Sequence, residues 1–182
     1  MSSIIGGIVS LVLLLGAMML LTNTVLGIGI SQQKSLDTAA RTSNIRLRTS
    51  IGISEVSVED QEGTTDVTAQ VCNNGSVRIV DMSEMDVFVS YPDADDNDIR
   101  QYLEYTSGTP GNNQWTVSSI SPDTFNENIW DPDETVTLGM VLSPEMKDGK
   151  KKDGICGVLL LVTPTGITDS FYFDGKWPLG RP

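Results

Sequence analysis

The first 33 residues contain no ionisable side chain, and from Ile4 to Ile30 17 of 27 positions are Ile, Leu, Val or Met. Such a stretch exceeds the roughly 20 apolar residues that cross a bilayer as a helix. At about 1.5 Å per residue it would be roughly 40 Å long. Ser31 to Ser50 holds Ala39, Ala40 and good helix formers with no Pro or Gly, so the expected helix continues to about residue 50. A cleaved secretion signal would have a basic start, a shorter apolar core and a small-residue cleavage site, and none of these is present. An ordinary single-span anchor is the other reading of the segment.

Charge sharpens the choice. Lys34, Arg41, Arg46 and Arg48 against Asp37 leave residues 34–50 at +3, so the chain from Ile51 onward carries −15 of a net −12. Lys and Arg normally stay on the cytoplasmic side of a span, which would put the C-terminal region inside. That region nevertheless has the marks of export: two cysteines, an acidic surface and the sequon Asn74-Gly75-Ser76. A short basic leader before Met1, removed after orienting the precursor, resolves the conflict, so a mature chain is expected. Gly6, Gly7, Ser10, Gly16, Ala17, Gly27 and Gly29 would weaken an isolated helix. Small residues let helices approach closely, which points to a bundle. The expected assembly surface comprises Ile4, Ile5, Ile8, Leu11 and Leu13, continuing through Leu14, Leu15, Gly16, Met18 and Leu21.

Beyond Ile51 the apolar period changes to two. Ile51–Val58, Val67–Val71, Met85–Tyr91, Thr135–Leu142, Val158–Val162 and Phe171–Phe173 read as strands. Turn signals lie between them at Glu62-Gly63, Asn73-Asn74-Gly75, Tyr91-Pro92-Asp93, Gly108 to Gly111, Asp131-Pro132-Asp133, Lys147 to Gly149 and Asp153-Gly154. The expected fold class is α+β: a long N-terminal hydrophobic α-helix followed by an immunoglobulin-like antiparallel β-sandwich. The corresponding domains are residues 1–50, an assembly helix forming a filament core, and residues 51–182, an outer β-sandwich head.

Little in the sequence points to chemistry. A pI of about 4.2 argues against nucleic acid, whose phosphates need clustered Lys and Arg. The chain has no histidine, the commonest general base and metal ligand, and no phosphate loop or nucleophile elbow. Neither an enzyme nor a cofactor is expected. Asp93, Asp95, Asn97 and Glu104 fall at positions 1, 3, 5 and 12 of a calcium loop, but Asp98 stands where that loop needs Gly. A solvated acidic loop is the competing reading. Cys72 and Cys156 are 84 positions apart; in an exported head they form a disulfide, or else pack as small buried hydrophobes. Asn74 is either a glycosylation site or a plain hairpin turn. Trp115, Trp130 and Trp177 read as packing rather than as a ligand-stacking set.

The two halves together resemble the archaellin (archaeal flagellin) family and its relatives among archaeal type IV pilins. The aliphatic start from Ile4 to Gly16 carries the general likeness, and Val71 to Val89, a strand, an Asn-Gly turn and a strand, carries a more particular one to archaellin-type and accessory archaellum heads. Bacterial type IV pilins usually have glutamate near position five; Ile5 favours the archaellin side. The resemblance implies the major subunit of an extracellular helical filament for swimming motility. Its partners would be identical subunits, the cell membrane before assembly, and secretion and assembly machinery of the type IV pilus kind. An adhesive pilin, or a membrane-anchored accessory archaellum protein whose sandwich binds an envelope partner, is the alternative.

Overall fold

The computed structural model describes the backbone of residues 2–61, 63–147 and 157–173; within the helix the described side chains are 6–7, 10–19, 33–34 and 36–48, and the side chain at 60 is also outside the description. Two compact units divide the chain between Asn44 and Ile45.

Helix α1 runs Ser2–Arg48. Its described side chains fall mainly in two short stretches, 10–19 and 36–48, and all of these are exposed. The first is apolar apart from Ser10, and the second carries Asp37, Arg41, Arg46 and Arg48. Thr38 Oγ1 donates to the Lys34 carbonyl at 2.9 Å, a bond back to the preceding turn. Among the described residues no helix is long and apolar enough to cross a membrane.

The second unit holds β1 (Ile51–Gln61), β2 (Thr64–Asn73), β3 (Asp86–Pro92), β4 (Asp98–Tyr105), β5 (Gln114–Ser121), β6 (Thr135–Leu142), β7 (Gly157–Val162) and β8 (Thr168–Phe173), with a short 3-10 turn, Met82–Glu84, before β3. The hydrogen-bonded order is β1-β2-β6-β5-β4-β3-β7-β8. Among the described strands only β4 and β5 pair in parallel, through Glu104↔Gln114 and Tyr105↔Trp115. This narrow seam divides the strands into two halves, β1-β2-β6-β5 and β4-β3-β7-β8. The outer strands of the run meet again on the far side, where Ile53 N–H donates to Asp169 Oδ2 at 2.8 Å. Alternate residues face inward: Val67, Ala69 and Val71 from one half, and Val87, Val89, Leu159 and Leu161 from the other, surround the fully buried Trp115 and Trp130.

These observations correct the expected fold class. The expected long N-terminal hydrophobic α-helix is not hydrophobic along its length: within α1 the apolar character of residues 10–19 gives way to polar and basic residues from Gln33 onward, and the described side chains at 36–48 are exposed. In place of an immunoglobulin-like antiparallel β-sandwich there is one barrel-like run of eight strands with a parallel seam. Turn spacing reports how many strands there are, whereas their order depends on which inward faces fit together, and that is not periodic in sequence.

Candidate functional site

The outer face of β4-β3-β7-β8 departs from the polar exterior usual for a sheet with one face on the core. Register places Tyr102, Phe88, Leu160 and Ser170 side by side across the four strands, with Arg100, Ser90, Val158 and Tyr172 in the neighbouring row. Strand β7 explains the anomaly. Its sequence Gly-Val-Leu-Leu-Leu-Val is apolar on both faces: Leu159 and Leu161 are buried, while Val158, Leu160 and Val162 remain half-buried on the outside. Such a run is the signature of a strand covered on both sides. Phe88 and Tyr102 pack with ring centroids 5.3 Å apart, yet Tyr102 is 51% and Tyr172 63% exposed.

Beside the Phe88 and Tyr102 rings lies a shallow groove of about 450 Å³, with Val158 and Leu160 along it and Arg100 at one end. Asp86 and Glu104, both exposed, stand toward the opposite end. The face therefore combines an apolar aromatic centre with a cation on one rim and carboxylates on the other. Aromatic and Arg enrichment inside a polar rim is the composition of a protein–protein interface.

The acidic loop after β3 is occupied by its own backbone. Asp93 Oδ1 accepts from the N–H groups of Asp95 (2.9 Å) and Asn97 (2.8 Å), and Oδ2 accepts from the Asn97 side-chain amide at 2.9 Å. The Asn97 side-chain and backbone bonds hold the Asp93 carboxyl below the usual carboxylate range, assisted by Asp95 N–H and the Lys147 charge, and opposed by desolvation. Lys147 pairs with Asp96. Glu104 lies in β4 rather than in this loop. Among the described residues no group of acidic or thiol side chains is arranged to hold a metal. Beneath the loop Tyr91 Oη donates to the Pro144 carbonyl at 2.9 Å; burial, then the nearby Asp93 charge, pushes its pKa up to about 12.

Cys72 is half-buried, its Sγ 3.4 Å from Thr135 Oγ1; Cys156, its expected partner, lies outside the described residues, as does Trp177. Asn74 is exposed at its turn, but the rest of the sequon is engaged: Ser76 N–H donates to the Arg48 carbonyl at 2.8 Å and Ser76 Oγ accepts from Arg48 Nε at 3.1 Å. Of the expected assembly residues, Leu11, Leu13, Leu14, Leu15 and Met18 are 57–68% exposed, and a Cβ at Gly16 would meet nothing within 4 Å. The side chains of Ile4, Ile5, Ile8 and Leu21 lie outside the described residues. Sequence reading passed over Tyr102, Arg100 and Tyr172, although the doubly apolar β7 was the signal that could have led to them.

No protein-family model matches the chain, and no curated protein matches it. Among solved structures it is similar to the archaellum periplasmic stator protein FlaG from Sulfolobus acidocaldarius, with 24% identity and a TM-score of 0.46 over 69% of this chain and 99% of that one. It is similar also to a chain of the archaellum periplasmic stator protein complex of FlaF and FlaG from the same organism, with 23% identity and a TM-score of 0.47 over 68% of this chain and 87% of that one. At TM-scores below 0.5 these likenesses fix neither the fold nor a role, which rest on the chain's own residues.

Proposed function

We propose that this chain is an accessory protein of an archaellum-type machine, held at the cell envelope and docking a second envelope protein through the outer face of β4-β3-β7-β8. The observation that carries this reading is the uncovered apolar row Tyr102, Phe88 and Leu160 beside a strand that is apolar on both faces. The sequence resemblance to accessory archaellum heads supports it, since Val71 to Val89 contains Phe88 of that face. The uncharged stretch to Gln33 supports a place at the membrane. The partner would present an apolar strip with a carboxylate opposite Arg100.

A photo-crosslinking residue at Tyr102 in native cells should capture a different envelope polypeptide. Leu160→Glu should weaken that capture by about 30-fold or more, the scale of an interface centre losing roughly 2 kcal/mol. Capture of the chain only by copies of itself along surface filaments would sink this reading in favour of a filament subunit.

A further inference from the structure

A second concavity, of about 340 Å³, opens elsewhere on the head where residues 80–83 pass β5 and the 123–128 loop. Val80, Val117 and Ile120 form its apolar wall. Tyr105 stands at its side, with its ring edge-on to the buried Trp115 at 4.9 Å and therefore held in place. Asp81, Asp123, Ser118, Ser119 and Asn128 supply the polar part of the lining; Asp123 Oδ2 accepts from Asn128 N–H at 3.1 Å, which leaves its Oδ1 for a ligand. The loop that supplies Asp123 and Asn128 is fixed from behind. Glu134, buried, accepts from Thr124 N–H and Asp131 N–H at 3.2 and 2.9 Å, and Ile79 and Trp130 exchange backbone hydrogen bonds across the base.

We infer that this cleft binds a neutral sugar residue of a surface glycan. A pyranose has an apolar C–H face and a rim of hydroxyls that both donate and accept. The cleft offers the complement: an aromatic ring and aliphatic wall for the face, carboxylates as acceptors, and hydroxyls and an amide that do both. Its volume falls in the range of small-molecule sites. The two carboxylates, in a head of net −15 from Ile51 onward, repel phosphates and uronates. A cation would use the acceptors but leave the hydroxyl donors and the aliphatic wall without a role.

The test is saturation-transfer NMR on the full chain in a detergent without a sugar headgroup, with glucose, galactose, mannose and N-acetylglucosamine as probes and arginine and glucose 6-phosphate as controls. At about millimolar concentration, the weak end of specific binding, at least one neutral sugar should receive saturation on its ring C–H protons, and glucose 6-phosphate should not. Asp81→Ala changes an exposed side chain and should weaken binding by about threefold to tenfold, as loss of one hydrogen bond does. Tyr105→Ser should abolish it. No transfer to any of the four sugars, a stronger response to arginine than to all of them, or transfer unchanged in both variants would overturn the inference.

Discussion

At Asp93 three N–H groups converge on one carboxylate, so the folded chain holds the charged form more tightly than the unfolded one. Its folded pKa is depressed. Its contribution is therefore present above the unfolded value of about 3.9 and is lost as pH falls through the folded pKa. Asp93→Asn should match the wild type at the acid end and fall below it near neutrality, a crossing that thermal melts across pH would show. Tyr91 runs the other way. Its raised pKa of about 12 means stability is lost as pH rises from about 10 to that value. Tyr91→Phe should remove this alkaline loss while costing about 0.5–1.5 kcal/mol at neutral pH for the bond to Pro144. The composition of this loop was legible in sequence; its hydrogen bonds were not. Asp at a turn reads the same whether it caps its own backbone or waits for an ion, and the Asp95 and Asn97 N–H groups bonded to the Asp93 carboxylate separate the two.

The strands show where periodicity is informative. β1, β2, β3, β6, β7 and β8 were readable because alternate Ile, Val and Leu face a core. β4 and β5 were not: Asp-Ile-Arg-Gln-Tyr-Leu-Glu-Tyr has one buried residue, Leu103, and Gln-Trp-Thr-Val-Ser-Ser-Ile-Ser has one, Trp115. These two strands make the parallel seam, so missing them concealed the strand order and, with β4, one of the four strands of the candidate docking face. The opposite join, between β1 and β8, rests on a side chain in place of a ladder. Asp169 caps the Ile53 N–H beside a register shift at Ile53/Glu55, an inward-leaning charge of the kind that blunts an open edge. Asp169→Ala should cost about 1 kcal/mol, the low end for stranding a partly buried donor, and should raise the aggregation rate. Urea melts and light scattering at matched concentration would detect both, and an unchanged aggregation rate would deny Asp169 its protective role.

For the whole molecule the informative boundary is the one between the two units. The sequence places it near residue 50, where helix period gives way to strand period, but the last turn of α1 belongs to the head. Arg46 Nε donates to the Thr165 carbonyl at 2.7 Å, Arg48 Nε to Ser76 Oγ at 3.1 Å, and Ser76 N–H to the Arg48 carbonyl at 2.8 Å. Gly75 is pressed so close that a Cβ there would lie 2.6 Å from both Arg48 O and Ser50 N. Sequence alone could not show this, because Arg46 and Arg48 in a last turn already have a local explanation in the helix dipole. A fragment of residues 45–182 should therefore be more stable than one of residues 51–182. The three lost bonds are partly exposed, so the difference should be about 1–3 kcal/mol, or several °C in Tm. Arg46→Ala in the longer fragment should reproduce part of that drop, and Gly75→Ala, by forcing the loop off the helix end, should lower its Tm toward that of the shorter one. Equal melting temperatures for the two fragments would mean the helix end only rests against the head. A clear difference would make it a fixed part of the head.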